Sequence, residues 1–201
     1  NITFSEAQFY PQTGPANFIS YFPNEAPTLG VVSYTNLDGS KDIMCSDVVI
    51  ANRAEAKTTE FKLEHKLAQF KFKVKAESAS TNWGTITSLK LINQKNNAEL
   101  TLSDRKLKFT GEETNSITII ENGTVTLKTT ENGDEIGKAI LVEAEKSSYE
   151  VEVTTSLQTT PAKITLSVVG KASTTYTILL TFKGKNIGSE GSIDAWAEGS
   201  G

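Results

Sequence analysis

Thr58–Ala76, TTEFKLEHKLAQFKFKVKA, is the stretch whose reading decides the fold. Its apolar residues alternate with charged ones at Phe61, Leu63, His65 and Leu67, and again at Phe70, Phe72 and Val74, with one slip of phase at Ala68-Gln69. A helix would gather Leu63, Leu67, Phe70 and Val74 on one stripe but point Phe72 from the opposite face, into water between Lys71 and Lys73. A strand keeps all of them inside, because one extra residue at the slip, a β-bulge, re-aims the second half. Burying a large apolar side chain contributes roughly 1.5–3 kcal/mol, more than the small helix propensity of the lysines. The stretch is therefore predicted to be one long, central, bulged strand.

On its carboxyl side, AESASTNWG reads as a loop ending at Trp83, and TITSLKLIN alternates through Ile86, Leu89 and Leu91 as a strand does. Asn96-Asn97 turns the chain into AELTLSDRKLKF. Gly111–Asn115, GEETN, has no apolar residue and separates two β-rich blocks, which places a domain boundary there: residues 1–112 and 113–201. In the second block SITIIENGTVTLKT joins two β-branched runs through Asn122-Gly123, the pair a type I′ hairpin prefers, and Asn132-Gly133 comes next. KAILVEA, YEVEVTTS, AKITLSVV, TYTILLTFKG and SIDAWAEG complete an antiparallel sandwich by count and spacing. No sustained helical period occurs, and no internal repeat supports the division in two.

On the amino side, ITF, QFY, NFISYF and VVSY are broken by Pro11, Pro15, Pro23 and Pro27, which marks edge strands and loops. The aromatics Phe9, Tyr10, Phe18, Tyr21 and Phe22 read as packing beneath a loop more readily than as a ligand platform. Asp38-Gly39 supplies the backbone freedom of a tight turn. Asp38, Ser40 and Asp42 lack the spacing and closing glutamate of a calcium loop, so they read as a solvated turn. DIMCSDVVIA is a strand burying one face, and residues 52–58 form the polar loop before the central stretch.

The 201 residues, 37% hydrophobic, are enough for a substantial core. A net charge of -4 and a positive charge that is nearly all lysine, with Arg53 and Arg105 the only arginines, argue against nucleic acid as a partner. Cys45 stands alone, so neither an internal disulfide nor a multi-thiolate zinc site can form. No stretch approaches the roughly eighteen apolar residues of a membrane helix. The chain opens at Asn1 on a strand-like run, as a mature or trimmed product would.

Chemistry is sparse. His65, the single histidine, falls at an inward strand position and reads as a hydrogen-bonded core residue, not as the base of a Ser-His or Cys-His pair. The 24 acidic residues sit mostly on lysine-interleaved positions, the pattern of a solvated strand face rather than of a glycosidase pair. No phosphate-cradling glycine motif is present. The expected site inventory is accordingly empty of catalytic, cofactor-binding and metal-ligating residues, and the chain is read as non-enzymatic.

EFKLEHKLAQFKFKVKA, preceded by ISYFPNEAP and DIMCSDVVIA and matched at the far end by YTILLTFKGKNIGSEGSIDAWAEG, resembles the fimbrillin-like (Mfa-like) surface proteins of Bacteroidetes, which include major and minor pilins. The resemblance runs from about Phe18 to Gly199 and implies two tandem transthyretin-like β-sandwich domains. It further implies an outer-membrane lipoprotein precursor whose lipid anchor is absent from this chain, a location in the fimbrium at the cell surface, and proteolytic removal of an amino-terminal segment. Arg53 and Arg105 match the arginine preference of such processing, although both read more simply as exposed residues. The partners implied are other fimbrial subunits, joined by strand addition, and host or bacterial surface ligands. The rival reading is a monomeric surface lipoprotein that binds glycan or protein through its loops. Ser192–Gly201, SIDAWAEGSG, offers too few alternating apolar residues for a strong donor strand. It is expected to be an integral strand with Ile193 and Ala195 on one face and Asp194 and Trp196 on the other, which points to an accessory or terminal subunit.

Overall fold

A computed structural model describes residues 10–54, 60–78, 82–184 and 186–194. The described residues hold seventeen strands and no helix. In the first part of the chain these are β1 (Ala16–Phe18), β2 (Tyr21–Phe22), β3 (Val31–Tyr34), β4 (Met44–Ser46), β5 (Val49–Ala51), β6 (Leu63–His65), β7 (Ala68–Ala76) and β8 (Thr85–Gln94). The remainder are β9 (Asn97–Thr101), β10 (Lys106–Thr110), β11 (Asn115–Ile120), β12 (Val125–Thr126), β13 (Asp134–Val142), β14 (Tyr149–Thr155), β15 (Ala162–Leu166), β16 (Thr175–Phe182) and β17 (Ile187–Asp194). The protein is all-β, as its alternation predicts.

The larger unit is a sandwich of two sheets. One has the order β11-β8-β14-β15, with β12 also on β8, and the other β13-β7-β16-β17. Their inner faces share one core in which Phe70, Phe72, Ile86, Leu89, Leu91, Tyr149, Ile178 and Leu180 are all but fully buried. Phe70 meets Tyr149 and Tyr176 edge-on, with ring centroids 4.8 and 5.8 Å apart, and Trp83 meets Phe182 in the same way at 5.5 Å. The smaller unit surrounds Val32, Tyr34, Ile43, Cys45, Leu67, Ala98 and Leu100 with three short sheets, β1-β5, β2-β4-β6 and β3-β9-β10.

Four expectations are corrected. Thr58–Ala76 is not one bulged strand: among its described residues, β6 pairs with β4 in the smaller unit, whereas β7 pairs with β13 and β16 in the sandwich. The phase slip is the place where the chain passes from one sheet to another, and Phe70, Phe72 and Val74 face inward because β7 starts a new register. The chain also does not divide between the two cores at residue 112/113. β7 and β8 precede that point, yet each is an inner strand of a sandwich sheet, and the chain then returns to the smaller unit for β9 and β10.

Asn122-Gly123 makes no hairpin. β11 and β12 run in the same direction, both antiparallel to β8, with Ile120 opposite Leu89 and Val125 opposite Ile86. A type I′ turn needs positive φ at both central residues, and only Asn122 has it, at 52°. Gly123 instead donates its N–H to the Thr87 carbonyl at 2.9 Å, so the pair is a kink in an edge strand whose two halves β8 holds in line. Finally, the sheets are antiparallel except at the centre of one, where β7 and β16 pair in parallel from Gln69/Thr175 to Ala76/Phe182.

Backbone hydrogen bonds cross the junction, or waist, between the units. The Leu141 N–H donates to the Gly39 carbonyl at 2.8 Å, and the Ser173 N–H to the Leu67 carbonyl at 3.0 Å. Gly39, φ 85°, presses so closely on the sandwich that an added Cβ would stand 2.7 Å from Ile117 Cγ2. The Asp38-Gly39 turn is thus a structural plug between the units.

Candidate assembly edge

β17 carries the sequence IGSEGSID, poor in apolar residues and in strand formers, and lies at the rim of its sheet. It pairs antiparallel with β16 through eight residues, from Phe182/Ile187 to Thr175/Asp194. Glu190–Asp194 are exposed. Gly191 is required by contact: a Cβ there would collide with Val168 Cγ1. Two side chains tie the strand down. Ser189 Oγ donates to the Thr165 carbonyl at 3.1 Å on the facing sheet, and Thr177 Oγ1 donates to Asp194 Oδ2. Glu190 and Asp194 place charge on the rim, which discourages indiscriminate pairing with other chains.

Ser192–Asp194 is therefore a strand of its own sheet, as expected of an integral segment, but Ile193 does not line a core: it is 72% exposed. Ala195 and Trp196 lie outside the described residues.

His65 is partly buried and holds groups from both units. Its Nδ1 meets Asp42 Oδ2 at 2.5 Å, and its carbonyl accepts from Ser173 Oγ at 2.9 Å. Cys45 lies on the neighbouring strand, beside Glu64 in register, and its thiol donates to the Ser46 carbonyl at 3.5 Å. Burial pushes that thiol above its ordinary range, which keeps it protonated and poorly nucleophilic. Asp38 Oδ1 accepts from both the hydroxyl and the N–H of Ser40, at 2.6 and 3.0 Å, and the hydroxyl in particular holds its carboxyl below the usual range. Asp42 Oδ2 meets His65 instead, so Asp38 and Ser40 bond each other while Asp42 turns to a different group.

Of the amino-terminal aromatics, Phe9 lies outside the described residues. Tyr10 meets Phe18 edge-on at 6.2 Å, Tyr21 donates to the Glu25 carbonyl at 3.0 Å, and Phe22 is half exposed. Arg53 is exposed, whereas Arg105 is partly buried with its Nε 3.3 Å from Asp47 Oδ1. An open cavity of about 340 Å³ at the end of the sandwich farthest from the waist is lined by Lys75, Glu77, Thr130, Glu131, Lys183 and Glu190. The hydroxyl oxygen of Thr130 is buried with no partner among the described residues. Sequence reasoning missed this cavity and the parallel β7–β16 pair because both depend on residues about a hundred positions apart.

Solved structures of the same architecture come from Bacteroides. A protein described as a candidate for cell adhesion from Bacteroides uniformis superposes with a TM-score of 0.65 at 15% identity, covering 90% of this chain and 72% of that one. One so described from Bacteroides ovatus gives 0.63 at 15%, covering 93% and 70%. A fimbrial protein from Bacteroides vulgatus gives 0.50 at 16%, covering 89% and 72%. At such identities the likeness is one of fold. No curated protein matches the chain. The family model for fimbrillin-like proteins matches residues 1–196, nearly the whole sequence, and the chain therefore belongs to the fimbrillin-like family.

Proposed function

We propose that this chain is a non-enzymatic subunit of a cell-surface fimbria, or an accessory or tip adhesin of one, that joins other fimbrial subunits by β-strand addition. The observation that carries this reading is β17: a glycine- and serine-rich strand on the rim of an apolar sandwich, its last five residues exposed. Such a rim offers backbone groups to an incoming strand, and exchange there costs little buried apolar area. Family membership and the fimbrial description of the Bacteroides vulgatus structure support the same role. In this reading the smaller unit is the second domain of a two-domain subunit, and the protein reaches the outer membrane through a lipid anchor outside this chain. Host or bacterial surface ligands are the expected targets of adhesion.

The alternative is a monomeric surface protein that binds glycan or protein through its loops. The open cavity beside Thr130, whose hydroxyl has no partner among the described residues, favours it. Fimbriae sheared from the producing cell and labelled with antibody to this chain separate the two. Label on filaments, with detergent-resistant oligomers that collapse on boiling, is expected of the subunit; release only as monomer would overturn that reading.

A further inference from the structure

The sheet β13-β7-β16-β17 turns one face to the core and the other outward. On that outer face Lys75, Thr181 and Gly188 stand opposite one another on β7, β16 and β17. With adjacent strands about 4.8 Å apart, this row spans about 10 Å, and it floors the open cavity of about 340 Å³. Thr181 is only 7% exposed; its neighbours Leu180 and Phe182 lie in the core, so alternation aims its side chain outward, into the cavity. Its hydroxyl bonds no group among the described residues.

The glycine of the row keeps the cavity open. Gly191 on the same strand is required by contact with Val168, whereas an added Cβ at Gly188 would find its nearest atom, Lys183 Cε, at an ordinary 3.8 Å. The φ of Gly188 also lies outside the left-handed region. Fold and packing therefore tolerate a side chain there, and one would project beside Thr181 into the cavity. A strand glycine free of such demands marks a place where another molecule approaches closely.

The walls select the class of ligand. Lys75 and Lys183 stand against Glu77, Glu131 and Glu190. Lys183 Nζ is 3.6 Å from Glu77 Oε1 and Lys75 Nζ donates to the Glu131 carbonyl at 3.3 Å, while the Glu131 and Glu190 carboxylates have no partner among the described residues. An anion would meet the carboxylates and a cation the lysines, and an apolar ligand would strand all of these groups. Among the described residues no aromatic or large aliphatic side chain lines the cavity, so a peptide side chain finds no anchor in it. Hydroxyl groups suit it, since each donates to a carboxylate and accepts from an ammonium or a threonine.

We propose that this cavity binds a neutral saccharide, whose hydroxyls bond the Glu131 and Glu190 carboxylates and the Thr181 hydroxyl. Its volume falls among those of small-ligand sites, about 300–1,000 Å³, and its open side leaves room for further sugars of a glycan chain. Because Gly188 and Glu190 belong to β17, a bound sugar also ties that strand to β7 and β16. The proposal rests on the glycan-binding reading and names its site.

Saturation-transfer NMR of the full chain with galactose, mannose, N-acetylglucosamine and lactose, each titrated to about 10 mM, tests it. At least one sugar should bind saturably. Gly188→Leu, which fills the cavity, should abolish that binding, and Thr181→Val, which keeps the shape and removes the hydroxyl, should weaken it about tenfold. A sugar bound undiminished by both variants would overturn this site while leaving glycan binding through the loops standing. A parent protein that binds none of the sugars would overturn the proposal, and the subunit reading, which rests on the β17 rim, would still be judged by the labelled filaments.

Discussion

Leu67 and Ala68 are consecutive residues buried in different cores: Leu67 belongs to the smaller unit and Ala68 to the sandwich. The peptide between them is where one hydrophobic cluster hands over to the other, and it explains why alternation breaks there. Beyond it β7 is an inner strand of its sheet, flanked by β13 and β16.

Phe72 is fully buried, with Ile136 and Ile178 opposite it on the two adjacent strands. Phe72→Ala should lower stability by about 3–5 kcal/mol, read as a shift in the urea midpoint. Lys73→Ala, on the outward face, should cost well under about 1 kcal/mol.

The contact between His65 and Asp42 predicts a structural rather than a binding defect. Asp42 Oδ1 is already buried without a partner among the described residues, so losing the imidazole would isolate the carboxylate further. His65→Ala should cost about 1–3 kcal/mol, and His65→Gln, which keeps a donor in reach, less. Adhesion by the folded variants, measured after normalising for folded protein, should be unchanged.

Glu143 gives a pH dependence of defined sign. Burial raises its carboxyl above the ordinary value of 4.5, against the opposing pull of Lys95 and Lys146. Because the folded protein holds the proton more tightly, the stabilisation from this group is complete below the unfolded value and is lost as pH rises through the folded one. Urea midpoints should carry a component that falls through the mildly acidic range. In Glu143→Gln that component should vanish, and stability at neutral pH should rise.

Removing Ser192–Gly201 strips the end of β17 from Thr175, Tyr176 and Thr177, together with the Thr177–Asp194 hydrogen bond. Since Ser192–Asp194 are exposed, the loss from these described residues should be modest, about 1–2 kcal/mol in the unfolding midpoint of the monomer. A truncated monomer of unchanged stability that fails only to assemble would instead identify the segment as a donated strand.

Alternation made much of this legible. Phe70, Phe72 and Val74 face the core as their spacing requires, and the runs from KAILVEA to the start of SIDAWAEG each contain or enter a strand. Partnership lay beyond the reach of local patterns. Asn122-Gly123 has the composition of a reversal, but β8 holds the residues on both sides in one line, and tertiary pairing overrides turn preference. The polar run near Gly111 is a genuine connection, yet polarity alone cannot show that β7 and β8, well before it, belong with the sandwich strands on its carboxyl side.

The parallel pairing of Gln69 with Thr175 also bears on when this protein can become folded. A chain emerging from the ribosome makes the smaller unit's segments and β7 first, but one flank of β7 stays open until β16 has been made, about a hundred residues later. Long-range pairing of this kind delays the commitment to structure, and until then Phe70 and Phe72 lack half of their enclosure.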